Sequence, residues 1–393
     1  MMKELELYIH IPFCAKKCPY CDFLSAPPRA GEPERYLRAL MEEIVRKAAY
    51  FRAHSVTSIF IGGGTPSLLP GGEIQRLLSC VRKYFCVRAD AEITIECNPG
   101  TLDDGKLKAY KAAGINRLSI GLQAFDDALL KNLGRMHSCR DFLAGYYTAR
   151  DLGFLNINVD LMYGIPGQTP ESLLSTLENV LRLEPEHLSV YSLLLEKGTP
   201  FYAIYGEDAI RRERGEDPSL LPSEAEEAQM DRIIREKLAD AGYKRYEISN
   251  FARAGLVCRH NIGYWTGVPY LGLGLGASSY LVRGRDFVRL RGSTDLNRYC
   301  AGDYTCREET VLTKENRIEE YMFLGLRMTD GISRERFAQL FGQTVEQVYG
   351  PVLSRMYEQQ LMRCTGDRIA LTEQGMDISN RVLSEFLLFT EAS

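Results

Sequence analysis

The chain has 393 residues, enough for one large domain and a small second one. Its composition is that of an ordinary soluble globular protein, and a formal net charge of −4 gives nucleic acid or an anionic membrane no electrostatic reason to bind. Eleven cysteines without a regular framework point to a reducing compartment, the cytoplasm by default; MMKELELYIHIP lacks the basic segment and apolar core of a signal peptide, and no run of about 18 apolar residues could span a bilayer.

An apolar strand, Leu5 to Ile9, comes first, and Cys14, Cys18 and Cys21 follow it in a C-x-x-x-C-x-x-C run. Thiolates are soft ligands that suit zinc or iron–sulfur clusters. Structural zinc wants four protein ligands, yet no second C-x-x-C follows and the other eight cysteines are scattered. Three clustered thiolates fit a cubane with one iron left open to a small ligand. The blander alternatives are a zinc knuckle completed by His10 and a redox pair of Cys18 and Cys21. Lys16 and Lys17 between the thiols also suit an anionic cluster.

After a loop marked by Ala26-Pro27-Pro28 and Gly31, a helix is expected from Glu34, with Leu37, Leu40, Met41, Ile44, Val45 and Ala48 on one stripe. Val56 to Ile61 is a β-branched run ending in Gly62-Gly63-Gly64-Thr65-Pro66, and Ile74, Leu77, Leu78 and Val81 mark the next helix. The alternation continues through strands at 92–96, 117–121, 155–162 and 188–194, and helices at 102–113, 126–133, 141–152 and 170–183. Six apolar strands linked by helices predict an α/β domain with a parallel sheet buried on both faces. Six units are too few for a closed eightfold barrel, so a partial (βα)6 barrel is expected. Residues 196–222, charged and punctuated by Pro and Gly, read as a long loop. Ser223-Glu224-Ala225-Glu226 reads as a capping box opening a helix that ends before Gly242.

Ligands of parallel α/β folds bind at the carboxyl ends of the strands. Those ends carry Cys14, the Gly62–Thr65 run, Glu96-Cys97-Asn98, Gln123, Asp160 with Tyr163, and Tyr191. A glycine triplet is often only a tight turn, but bare backbone can also offer its amides to a carboxylate. A buried carboxylate at a strand end is costly unless it is paired or meets a ligand. One face of the domain therefore reads as a binding site.

Further on, CRHNIGYW spans Cys258 to Trp265 and holds the single tryptophan. Residue chemistry alone favours a turn shaped by Asn261 and Gly263 and anchored by Tyr264 and Trp265. Gly272, Gly274 and Gly276 in YLGLGLGASSY read as a loop where backbone could approach a planar ligand. Helices are expected at 315–328, 333–341 and 344–360, a hairpin at 362–371 around Thr365-Gly366-Asp367, and a last helix from Glu373. Helices followed by a hairpin suggest a smaller α+β, winged-helix-like module. From residue 315 onward it holds eight arginines, no lysine and twelve acidic residues, which argues against nucleic acid. The expected partition is a core domain at 1–240, a connecting segment at 241–310, and a C-terminal domain at 311–393.

The three-cysteine run with its YIHIPFC lead-in resembles the radical S-adenosylmethionine enzymes, in the branch that contains the oxygen-independent coproporphyrinogen III oxidase HemN and the heme chaperone HemW. The resemblance extends over nearly the whole chain. It implies a 4Fe–4S cluster on Cys14, Cys18 and Cys21, whose open iron chelates S-adenosylmethionine; an electron from the reduced cluster cleaves the sulfonium. By motif match it implies S-adenosylmethionine contacts from Gly63, Gly64 and Thr65. It implies the same for Glu96, Gln123, Arg135 and Asp160 in IECNP, SIGLQAF, LGRMH and VDLMYGIPGQT, and for Tyr8 and Tyr20 beside the cluster. The H-N-x-x-Y-W motif is associated in the HemW branch with heme binding, which implicates His260, Asn261, Tyr264 and Trp265, the imidazole as an axial ligand. HemN has a fourth cysteine two positions after the third; here that position is Phe23, and the longer N-terminal extension of HemN is not seen. Both departures favour a HemW-type chaperone over a coproporphyrinogen oxidase or a non-heme radical enzyme. The partners implied are heme, acceptor hemoproteins (respiratory ones among them), an electron donor for the cluster, and a membrane only through those partners.

Overall fold

The computed structural model describes residues 2–388. Met1 and residues 389–393, assigned above to the first and last domains, lie outside the described residues. Six strands, β1 (Lys3–Ile11), β2 (His54–Gly63), β3 (Cys86–Cys97), β4 (Arg117–Gln123), β5 (Ile157–Tyr163) and β6 (His187–Ser192), pair in sequence order and all parallel. The alternation of β1 explains its place. Leu5, Leu7, Ile9 and Ile11 are fully buried against the outer helices, and Glu6, Tyr8 and His10 point to the opposite face. Several outer helices begin at side-chain caps: Asp103 accepts from the Lys106 amide, and Ser138, Thr169 and Ser223 each close a capping box. The partial (βα)6 barrel is therefore as the spacing predicts.

Residues 241–310 do more than connect. β7 (Lys244–Arg245) and β8 (Asn250–Ala252) extend the β6 edge, and β9 (Tyr270–Leu273) pairs parallel to β1 at the other edge. β10 (Ser278–Arg283), β11 (Asp286–Gly292) and β12 (Cys306–Leu312) then run outward antiparallel, making one sheet of 12 strands that stays open. The last part of the chain has its own core, centred on Met322, Phe337, Phe341, Leu353 and Phe386. A three-stranded sheet of β13 (Ile332–Ser333), β14 (Met362–Thr365) and β15 (Arg368–Leu371) covers it.

Four local expectations are corrected. The segment 196–222 is not all loop: a helix runs Pro200–Glu213, capped by the Thr199 hydroxyl, so Thr199-Pro200 is a helix start and not a breaker. CRHNIGYW is not a turn but a helix, Arg259–Thr266, closed by Gly267 at φ 73°. The YLGLGLG glycines form β9 and a tight exit, not a ligand loop. The Gly274 amide donates to Glu43 Oε2 at 2.7 Å and the Leu275 amide to the Tyr36 hydroxyl at 3.1 Å, so protein groups already fill that space. The final helix breaks at Ile378 into Glu373–Asp377 and Ser379–Ser384. No helix among the described residues is long and apolar enough to cross a membrane.

Candidate cofactor cavity and its neighbour

The carboxyl ends of β1 to β6 surround a cavity of about 500 Å³. Cys14, Cys18, Cys21, Tyr20, Gly63, Gly64, Thr65, Glu96, Gln123, Arg135 and Asp160 all line it, and so does Asn261. Tyr8 does not. Its ring stacks on Phe60 behind the wall, 6.4 Å between centroids, and its hydroxyl meets His10 Nδ1 at 3.1 Å. The other His10 nitrogen meets the Leu24 carbonyl at 2.9 Å, which leaves the ring no lone pair for a zinc knuckle.

The thiols sit on a loop braced by the rest of the site. The Cys21 amide donates to the Cys18 carbonyl at 3.1 Å, Thr65 Oγ1 donates to Cys14 Sγ at 3.4 Å, and an Arg135 N–H approaches Cys18 Sγ at 3.8 Å. Burial pushes the Cys21 thiol above its ordinary value. No three His, Cys, Asp or Glu side chains among the described residues converge on one point. A cubane puts a different iron on each thiolate, so the fit rests on three thiols sharing one cavity wall.

The glycine run lines the cavity, but its amides are not free to bind a carboxylate. The amides of Gly63, Gly64 and Thr65 are spent on Glu96 Oε2 at 2.9 Å, the Ile11 carbonyl at 2.8 Å and the Phe13 carbonyl at 2.7 Å. None is left for a ligand carboxylate. The glycines are required by crowding: a Cβ on Gly64 would come within 2.6 Å of the Phe13 oxygen, and one on Gly63, at φ 111°, would strike the His10 ring.

Two acids face the cavity. Burial, reinforced by nearby Asp160, raises Glu96 to about 8, and burial also raises Asp160. Asp160 accepts from Asn158 Nδ2 at 2.7 Å and from Ser119 Oγ at 3.3 Å. Arg117, only 1 % exposed, also reaches the cavity, and its Nε is buried without an acceptor. A buried guanidinium Nε without an acceptor, close to carboxyls that burial pushes upward, makes a polar cradle short of a partner, as a site for a charged cofactor should be. Arg135 spans the site, donating to Asn98 Oδ1 at 2.6 Å and the Gly121 carbonyl at 2.7 Å. Gln123 stands at a bulge between β4 and β5 with φ 74°, a strained conformation for a side-chain-bearing residue.

Sequence reasoning missed Arg117, Ser119, Asn158 and Ser189. The signal was available: Arg117, Ser119 and Gly121 alternate on β4, Asn158 and Asp160 on β5, and Ser189 and Tyr191 on β6. A polar set at period two on consecutive strands marks the inner face of a barrel.

The helix Arg259–Thr266 is the cavity's partition. Asn261 faces the thiol side, whereas Tyr264 and Trp265 line a second cavity of about 540 Å³ against the C-terminal domain. His260 lies between, 1 % exposed, with Nδ1 to Ser58 Oγ at 2.8 Å, Nε2 to the Tyr264 hydroxyl at 3.0 Å and Phe60 stacked at 5.2 Å. With both ring nitrogens engaged inside the protein, it is not placed as an axial ligand, and the four motif residues do not share one pocket.

Residues 8–180 match the Radical SAM superfamily and residues 312–378 the HemN C-terminal domain. The heme chaperone HemW of Bacillus subtilis is 37% identical over 97% of this chain and 98% of its own; that of Escherichia coli is 36% identical over 98% and 99%. The chain belongs to the HemW family of radical SAM proteins. Its fold matches the solved structure of coproporphyrinogen III oxidase (HemN) from Escherichia coli, described as a radical SAM enzyme, with a TM-score of 0.82 and 26% identity over 98% of this chain and 90% of that one. Membership implies a 4Fe–4S cluster and S-adenosylmethionine. Cys14, Cys18 and Cys21 would hold the first, and the polar wall from Glu96 to Asp160 the second.

Proposed function

We propose that this protein is a heme chaperone. It carries a 4Fe–4S cluster on Cys14, Cys18 and Cys21, binds S-adenosylmethionine in the same cavity, and holds heme for transfer to acceptor hemoproteins. When bound, the reduced cluster supplies a low-potential electron to the sulfonium. The chain's own residues orient that cofactor: Arg135 braces the Cys18 thiol, Glu96 and Asp160 offer carboxyls, and Tyr20 closes the thiol side.

The observation that carries the reading is the H-N-x-x-Y-W helix, which separates the thiol-lined cavity from an aromatic-walled one large enough for a macrocycle. Heme titration of the anaerobically reconstituted chain tests it, with a saturable Soret shift expected at one heme per chain. The likeness to HemN supports a second reading, radical decarboxylation of coproporphyrinogen. Phe23 argues against it, since this apolar side chain, 60% exposed, lines the cavity where HemN has a cysteine. Carbon dioxide release from coproporphyrinogen III under reducing, anaerobic conditions would favour the oxidase. A reducing compartment, such as the cytoplasm, suits this reading and the eleven unpaired cysteines.

A further inference from the structure

The second cavity carries an inference about how its ligand is held, and it rests on the heme reading above. Its walls are aromatic and continuous. Tyr264 meets Tyr270 edge to face at 4.5 Å, Tyr270 lies 6.3 Å from Tyr280, and Tyr280 lies 5.8 Å from Phe287. Trp265 forms part of the lining, and its Nε1 is buried without an acceptor. Such walls suit a flat apolar ring system.

The charge around this cavity is out of keeping with the domain that contributes it. From residue 315 onward, acidic residues outnumber arginines twelve to eight. Yet Arg317, Arg336 and Arg368 line the cavity, and Arg327 lies over the Trp265 ring at 4.5 Å. Arg289 lines it as well but is bound to Glu320 at 2.7 Å. Glu320 is the single acidic residue in the lining. Arg317, Arg336 and Arg368 form no ion pair with a carboxylate of the described residues, and Arg317 is held over the Phe287 ring at 3.8 Å. Guanidinium groups at the edge of an aromatic slot recognise carboxylates by paired, charge-assisted hydrogen bonds.

We infer that this cavity binds a tetrapyrrole ring-first against Tyr264, Trp265 and Tyr280, and that Arg317, Arg336 and Arg368 receive its propionate carboxylates. Iron is secondary in this arrangement. Ring contacts and carboxylate pairing carry the affinity, which suits a carrier that must give its ligand up.

The single tryptophan makes the site directly observable, because a tetrapyrrole in this cavity lies beside Trp265 and quenches its fluorescence. The full chain would be titrated with hemin, with metal-free protoporphyrin IX, and with hemin dimethyl ester, whose carboxylates are blocked. Arg336→Glu and Arg368→Glu alter exposed side chains, and unchanged circular dichroism would establish that the fold is kept. Hemin and protoporphyrin should both quench Trp265, and the dimethyl ester should bind at least tenfold more weakly. Each charge reversal should weaken hemin by about tenfold and leave the ester unchanged, in line with a lost charge-assisted bond. Equal affinity for hemin and its ester, or unaltered hemin binding in both variants, would overturn the arginine assignment and leave the heme reading standing. Binding of hemin without binding of protoporphyrin would show that iron ligation carries the affinity, and would also overturn it. If the wild-type chain binds no hemin, the heme reading and this inference fall together.

Discussion

The imidazole of His260 is kept neutral by burial, which lowers it to about 3, with Arg117 adding to the effect. Unfolded, the same ring takes a proton near 6.5. Between those values the unfolded chain binds more protons, so stability rises with pH in that window and is lost on acidification. Going from pH 7 to pH 5 should cost about 2 kcal/mol through this ring. Urea midpoints at the two pH values should show a smaller pH dependence in His260→Phe than in wild type, and an equal dependence would remove His260 from the account. Glu96 acts with the opposite sign. Its folded value of about 8 lies above the ordinary 4.5, so the folded state holds the extra proton and stability falls as pH rises across that window. Glu96→Gln should therefore stabilise the cofactor-free protein at pH 8 and above while weakening S-adenosylmethionine binding, as calorimetry would measure. The cysteines allow a sharper test. Cys14→Ala, Cys18→Ala or Cys21→Ala should each abolish the cluster, whereas Cys80→Ala and Cys364→Ala should retain full iron and sulfide, since neither lines the thiol cavity. Full iron content after loss of any one of the three would refute the ligand set.

Among elements, β4 stores the clearest strain. Gln123 adopts φ 74° at the bulge where β4 shifts register against β5. A side-chain-bearing residue in this region costs about 1 kcal/mol or more relative to glycine. Gln123→Gly should raise unfolding stability by roughly that amount, and should weaken S-adenosylmethionine binding because a lining side chain is gone. Unchanged affinity would show that the bulge serves only the sheet. The same strand shows what could be read from sequence. Apolar strand cores, glycine stops and capping boxes are local chemistry, so the (βα)6 order, the box at Ser223 and the hairpin around Gly366 were legible in advance. The strand ends also announced the site, from Cys14 to Asp160. What was not legible depends on partners distant in the chain. β9 reads as a glycine loop until β1 lies beside it and Glu43 and Tyr36 fill its exit. The resemblance makes His260 a ligand, until Ser58, two hundred residues earlier, takes its Nδ1. The helix Pro200–Glu213 was missed for a different reason, because a proline at a helix start looks the same as one in a loop.

For the whole molecule the decisive fact is how the buried apolar residues group: a large core at the barrel, a smaller cluster beside it around Leu129, Leu133 and Phe201, and a separate core in the C-terminal domain. The barrel and the C-terminal domain meet through contacts that include the Thr329 amide on the Tyr246 carbonyl at 3.0 Å, Arg289 on Glu320 at 2.7 Å, Arg235 on Asp377 at 3.3 Å, and Arg327 over Trp265. Separate cores joined through contacts of this kind should melt separately. Scanning calorimetry of the ligand-free chain should resolve two transitions. Hemin bound between the domains should raise the lower one, by about 2.7 kcal/mol at a free concentration one hundred times Kd. A single transition at all hemin concentrations would contradict this picture.

The helix Arg259–Thr266 has a further consequence. It is a shared wall, with Asn261 lining one cavity and Tyr264 and Trp265 the other, so a movement of this helix reaches both. Thermodynamic linkage then imposes a reciprocity: whatever factor S-adenosylmethionine applies to the affinity for heme, heme must apply to the affinity for S-adenosylmethionine. Loading and release would be two readings of one coupling constant, obtainable from either side of the wall.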